Sequence, residues 1–129
     1  MDSRKAATTL AATRIAVGAA LAAMPELTTR GWIGAHAENP GAKLMARAAG
    51  GRDVAIGGGI LYALARPGRR RNRRGALRPW LEGAALADLV DMLATLAARR
   101  ALSPTGLAVG VGVAGASAAA HLWLREELG

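Results

Sequence analysis

Five ionisable side chains lie inside apolar stretches of this 129-residue chain, where an isolated charge is costly. The first stretch contains Arg14, the second contains Arg52 and Asp53, and the third contains Asp88 and Asp91. Each stretch approaches the roughly 20 apolar residues that cross the hydrocarbon core of a bilayer as a helix. Because charges in such helices are expensive unless they are paired, we expect these side chains to form a buried charge network and the principal site.

The depths of these charges predict which of them pair. Arg14 lies ten residues from the carboxyl end of its stretch, and Asp88 lies ten residues from the end of its own. Arg52 has a depth similar to that of Asp91 and adjoins Asp53 in the sequence. We therefore expect Arg14 to pair with Asp88, and Arg52 to pair with Asp91 or Asp53. Three aspartates then face two arginines, which favours protonation of one carboxyl group.

The pattern of apolar stretches predicts an all-α, four-transmembrane-helix bundle that forms a single domain over residues 1–129. The helices are expected at about 6–24, 46–65, 79–98 and 105–124. Residues 105–120 contain no charged side chain and show no polar face, which a helix on a soluble bundle would need. A soluble alanine-rich bundle is the alternative interpretation. A cleaved signal peptide is a further alternative, but Arg14 interrupts the apolar run that it would require.

The connector between the second and third predicted helices contains seven arginines among residues 66–78. With four spans, it lies on the same side of the membrane as both termini, and that side carries ten basic residues against five on the other. Basic residues are retained in the cytoplasm. The sequence therefore predicts a multi-pass protein of the cell (plasma) membrane with both termini cytoplasmic.

The same arginines predict contact with anionic lipid headgroups, since each basic residue near a membrane surface adds on the order of 1 kcal/mol. The residues expected to make this contact are Arg69, Arg70, Arg71, Arg73 and Arg74. A net charge of +8 is also the electrostatic footprint of nucleic-acid binding. No aromatic residue interleaves these arginines, however, and no base-reading module is present. Lipid is therefore the expected partner, and no nucleic acid is expected.

Small residues predict how the helices pack, because they let backbones approach closely. Four-residue ladders run through Gly51, Ala55, Gly59 and Ala63 and through Gly106, Gly110, Ala114 and Ala118. Such stripes favour close helix pairs and are compatible with a homo-oligomer or a partner membrane subunit. The three tryptophans, Trp32, Trp80 and Trp123, lie near predicted helix ends and are interpreted as interfacial anchors.

Residue types also exclude several chemistries. The chain has no cysteine, which rules out disulfides, thiolate catalysis and cysteine-based metal sites. His36 and His121 lack a spaced partner of the kind that metal sites use, so no metal or other cofactor is expected. No nucleophile–base set and no phosphate-binding loop is recognisable. The sequence thus favours a protein that is not an enzyme.

Several motifs resemble a family of small actinobacterial integral membrane proteins of unknown function, loosely similar to four-helix DoxX-like proteins. They are Met24-Pro25-Glu26, Gly31-Trp32-Ile33-Gly34, the segment Gly50-Gly51-Arg52-Asp53 and Asp88-Leu89-Val90-Asp91. The resemblance covers most of the chain. It implies four membrane spans and supplies no established activity.

Two functional hypotheses follow from the charge network. The first is a structural or accessory membrane protein, in which Arg–Asp pairs fix the register of the helices and help to dock a partner. The second is a small oligomeric proton-linked transporter or permease, with Asp88 or Asp91 as the proton carrier and Arg52 as counter-ion. Proton flux in liposomes separates the two.

Overall fold

The computed structural model of the chain describes residues 2–67 and 70–128 and is helical almost throughout. Its elements are α1 (Ser3–Ala23), α2 (Pro25–Ile33), a short 3-10 helix (Gly34–Glu38), α3 (Pro40–Ala65), α4 (Arg70–Ala97) and α5 (Pro104–Leu128). No strand occurs in the described part of the chain. The prediction of an all-α protein is confirmed.

The prediction of a four-transmembrane-helix bundle is wrong. The described residues form five α-helices, and two of them, α1 and α5, are long and apolar enough to cross a membrane. In α3 the adjacent Arg52 and Asp53 and several glycines lower the hydropathy. In α4 the helix begins inside the arginine run, so its first turns are strongly polar. The predicted topology, with both termini in the cytoplasm, was derived from four spans, so it is not supported either.

Helix α2 occupies part of the segment that was predicted to connect the first two membrane spans. Pro25 stands at the first position of this helix, where its fixed φ and missing N–H are both favourable. The helix ends at Gly34, whose φ of +59° favours glycine over residues with a side chain. Asn39 then caps α3, because its side chain accepts a hydrogen bond from the N–H of Gly41 at 2.8 Å. These local signals place helix starts at 25 and 40 rather than at 46.

Helices α1 and α3 pack backbone to backbone. A methyl group added at Gly18 would lie 2.6 Å from the carbonyl oxygen of Gly50, and one at Gly57 would lie 2.7 Å from that of Ala11. Both distances are too short for a real carbon, so the helices approach this closely only because glycine stands at these positions. The contact face therefore uses Gly50 rather than the neighbouring Gly51, beside which nothing lies within 4 Å.

Helices α4 and α5 form a second close pair, and the two pairs meet chiefly at one end of the molecule. An apolar core fills that end, where the start of α1 and the end of α5 meet the junction of α3 with α4. It consists of Ala6, Ala7, Ala11, Ile60, Ala63, Leu64, Leu77, Leu81, Ala84 and Leu124. The charged residues Arg14, Asp53, Asp88 and Asp91 lie along the helices beyond this core, where they join the two pairs.

Candidate functional site

Arg14 is the centre of the charge network. Its side chain, on α1, is almost completely buried, with a residue exposure of 7%. Nη1 donates to Oδ1 of Asp53 on α3 at 2.8 Å, and Nη2 donates to Oδ1 of Asp88 on α4. One guanidinium thus joins three helices. The structure brings together the Arg14–Asp88 pair that matching depth predicts, and it adds Asp53, which the sequence assigned to Arg52.

Arg52 makes both of the contacts that the sequence left as alternatives. Its Nη2 and Nη1 donate to the two carboxylate oxygens of Asp91, at 2.7 and 3.1 Å, in a two-point pair. The same guanidinium lies 3.1 Å from Oδ1 of the neighbouring Asp53. The side chains of Arg52 and Asp91 are about one-third exposed, at 32% and 37%. This half of the network is therefore nearer the surface than the Arg14 half.

Asp88 has two further partners on α5. Its Oδ2 accepts a hydrogen bond from the hydroxyl of Ser117 at 2.8 Å and lies 3.2 Å from Nδ1 of His121. Ser117 and His121 are four residues apart, and positions with that spacing share one face of a helix. Neither residue was predicted to belong to the network. The signal that points to them is the imbalance of three aspartates against two arginines, since His121 is the one ionisable side chain of the fourth apolar stretch.

His121 is fully buried, with an exposure of 0%. Its Nδ1 lies 2.8 Å from the carbonyl oxygen of Ser117, and a carbonyl oxygen can only accept, so Nδ1 carries a proton. Nε2 has no hydrogen-bond partner among the described residues. The network around His121 sets three carboxylates against the two guanidinium groups of Arg14 and Arg52.

A cavity of about 400 Å³ opens beside the network, in the space between α1 and α5. Its polar end is formed by Arg14, Asp53, Asp88 and Asp91, together with the hydroxyl of Ser117. Its walls are mostly apolar and are formed by Leu10, Val17, Leu21, Val109, Val113 and Ala114. The network is therefore the floor of a lipophilic cavity and not only a set of interhelical ties.

Trp32 closes the other end of this cavity, with Thr28 beside it. The carbonyl of Trp32 lies against Gly106 and its indole lies against Gly110, so closely that a methyl group at either glycine would clash. The glycine ladder of α5 thus accommodates another helix, as predicted, and that helix is the short α2. Nε1 of Trp32 is buried without a hydrogen-bond partner in the described part of the chain.

One ion pair at the surface joins α2 to α3, and another lies within α2. Glu26 contacts Lys43 at 2.9 Å and Arg30 at 2.7 Å. The hydrogen bond from Lys43 is the main reason that the pKa of Glu26 lies below its ordinary value. These exposed contacts contribute little to stability. They nevertheless fix the helix that carries Trp32 over the cavity.

The arginine run lies at the start of α4, whereas the cavity is lined by later residues of the same helix. Arg69 and the side chain of Arg70 lie outside the described residues. Arg71 and Arg74 are exposed and Arg73 is half-buried. Positive side chains near the N-terminus of a helix interact unfavourably with the helix dipole. These three arginines therefore do not stabilise α4.

No group of three histidine or acidic side chains in the described residues is arranged to hold a metal ion. His36 is exposed, and Glu38 pairs with Arg30 at 3.1 Å. The charged groups at the cavity floor, those of Arg14, Asp53, Asp88 and Asp91, are all in ion pairs.

No protein-family model, curated protein or solved structure matches this chain. The resemblance to the actinobacterial family stays a prediction. Functional inference therefore depends on the geometry of the network and the cavity.

Proposed function

We propose that this chain is a small integral membrane protein of the cell membrane, with a structural or accessory role that its Arg–Asp network supports. The observation that carries the proposal is which side chains are buried and which are exposed. The most buried polar side chains include Arg14, Asp88 and His121, whereas many large apolar side chains face outward. A protein folded in water would bury the second group and expose the first.

The two most apolar helices support a membrane location. Only 28% of the most apolar window of α1 and 22% of that of α5 is buried within the protein. A core helix of a soluble protein has most of its surface covered. Val113 on α5 is 66% exposed, and Val17 on α1 is 51% exposed. We propose that α1 and α5 cross the membrane, and that α3 and α4 pack against them and supply the partners of their charges.

The network supports a structural role because it ties every long helix to the others. Arg14 of α1 contacts α3 and α4, and Asp88 of α4 contacts Ser117 and His121 of α5. An unpaired charge is costly in a low-dielectric interior, so each ion pair favours the one register of the helices in which it can form. A partner subunit or a second copy of this chain would pack on the exposed apolar side chains of α4, which include Leu86, Leu93 and Val90.

The basic start of α4 is proposed to contact anionic lipid headgroups. Arg71 and Arg74 are exposed beside a helix N-terminus, which itself favours anions. The described segment also contains no acidic residue in the first turn of α4 that would neutralise them.

The membrane location predicts resistance to alkaline extraction. When membranes from expressing cells are washed with carbonate at high pH, the protein should stay in the pellet and leave it only with detergent. The reason is that the exposed apolar surface of α1 and α5 binds lipid without the help of charge. A peripheral protein held by its arginines serves as the control and is released. Recovery of this chain in the carbonate supernatant would overturn the membrane proposal.

A second candidate function is proton-linked transport, which the cavity beside Asp91 favours. For this candidate, Asp91→Asn should abolish pH-driven flux in liposomes, since the amide cannot carry a proton. The substitution preserves shape and one acceptor for Arg52, so folding should be intact. An accessory protein should give no flux above empty liposomes in either form. Wild-type flux that Asp91→Asn leaves unchanged would remove Asp91 from the role of proton carrier.

A further inference from the structure

The cavity between α1 and α5 has the size and the lining of a small-molecule site. Its volume of about 400 Å³ lies in the range of roughly 300–1,000 Å³ that is typical of ligand pockets. Apolar side chains from two helices form its walls, and the charged side chains are confined to one end. Such a cavity fits an occupant with an apolar body and a single polar head.

The charged side chains at the polar end of the cavity indicate whether the polar head of the occupant is a cation or an anion. Three carboxylates, those of Asp53, Asp88 and Asp91, face the two guanidinium groups of Arg14 and Arg52. All the hydrogen bonds that Asp53 accepts go to Oδ1. Its Oδ2 accepts none from the described residues, although Asp53 lines the cavity.

An anionic head would meet guanidinium groups that already have carboxylate partners. Of the two terminal nitrogens of Arg14, Nη1 donates to Asp53 and Nη2 donates to Asp88. An incoming carboxylate or phosphate would therefore lie beside three carboxylates. Like charges at that distance are strongly unfavourable in a poorly solvated site.

We propose that the cavity binds a lipophilic monocation, namely an ammonium group on an apolar body, with its N–H groups directed to Asp53. The apolar body lies between the valines of α5 and the leucines of α1, with Trp32 at its far end. The inference goes beyond the accessory role and requires neither transport nor turnover.

The test compares three probes of similar shape and different charge. 2-Phenylethylammonium, 2-phenylethanol and 3-phenylpropionate are titrated calorimetrically into the full chain in lipid nanodiscs, with empty nanodiscs subtracted. The ammonium probe should bind saturably. The alcohol should bind at least about tenfold more weakly, because it lacks the charge-assisted hydrogen bond. The carboxylate should not bind.

Two variants of α5 locate the site without altering any charge. Ala114→Leu adds volume inside the cavity and should abolish binding of the ammonium probe, whereas Ala116→Leu adds the same volume on the exposed face and should leave binding unchanged. Asp53→Asn removes the carboxylate that is proposed to receive the ammonium group and should weaken binding of the ammonium probe at least about tenfold.

Three results would overturn the proposal: equal binding of the three probes by the wild-type protein, no binding above empty nanodiscs, or full binding by Ala114→Leu. The comparison of the probes needs no variant, so a variant that fails to fold does not leave the proposal untested. Equal binding would identify the cavity as a space for lipid chains with no preference for charge.

Discussion

Replacing Asp88 with Ala is expected to lower the free energy of unfolding by about 3 kcal/mol, near the lower end of the roughly 3–5 kcal/mol that breaking a buried ion pair costs. Asp88 is the main counter-charge of Arg14 and also accepts a hydrogen bond from Ser117. The lower figure applies because Arg14 keeps its contact with Asp53. Denaturant titration of the purified protein in mixed micelles measures the change.

A matched control is Asp91→Ala. Asp91 also pairs with an arginine, but both partners are about one-third exposed, so its removal should cost about 1 kcal/mol or less. The double variant Arg14→Leu with Asp88→Leu removes both buried charges and should recover much of the stability that Asp88→Ala loses. If the double variant is as unstable as the two single changes added together, the pair is not energetically coupled.

The sequence predicted the members of the charge network because charge is conspicuous in apolar helices. Arg14 and Asp88 occupy equal depths, and depth along a helix is fixed by a constant rise of about 1.5 Å per residue. The sequence did not specify how the network branches. Whether Asp53 faces Arg14 or Arg52 depends on the rotation of α3 about its axis, and in the structure its Oδ1 serves both.

Small residues were the weaker guide, because alanine and glycine occur on every face of these helices. The predicted ladder through Gly51 is displaced by one residue from the real contact at Gly50. On α5 the ladder was identified correctly as a place where another helix approaches, and Gly106 and Gly110 lie against Trp32 of α2. A stripe of glycines indicates close approach, but it does not identify the element that approaches.

The cavity could not have been predicted, because its lining combines residues of all five α-helices. Each of its walls is an unremarkable run of Val, Leu and Ala in the sequence. Four evenly packed helices would have closed the space. The number of spans was overestimated because the charged side chains of α3 and α4 were counted as tolerable within membrane spans. Pairing makes such charges tolerable inside a fold, yet it leaves the hydropathy of α3 and α4 below that of a typical membrane span.

Gly50→Ala and Gly51→Ala should change stability in opposite directions, although the two residues are neighbours in α3. A methyl group at position 50 would lie 2.8 Å from the backbone nitrogen of Ala22 and closer still to the carbonyl oxygen of Gly18. Backbone atoms cannot move aside as a flexible side chain can, so α1 and α3 must separate. Overpacking of this kind typically costs about 1–3 kcal/mol.

Position 51 is the control because a methyl group there meets nothing within 4 Å. Alanine is a better helix former than glycine by roughly 1 kcal/mol, so Gly51→Ala should leave stability unchanged or raise it by up to about that amount. The same denaturant titration measures both variants. Separation of α1 from α3 should also lengthen the contact between Arg14 and Asp53, which connects the backbone packing to the charge network. Equal stability of the two variants would contradict the close approach of α1 and α3, because helix propensity alone affects both positions in the same way.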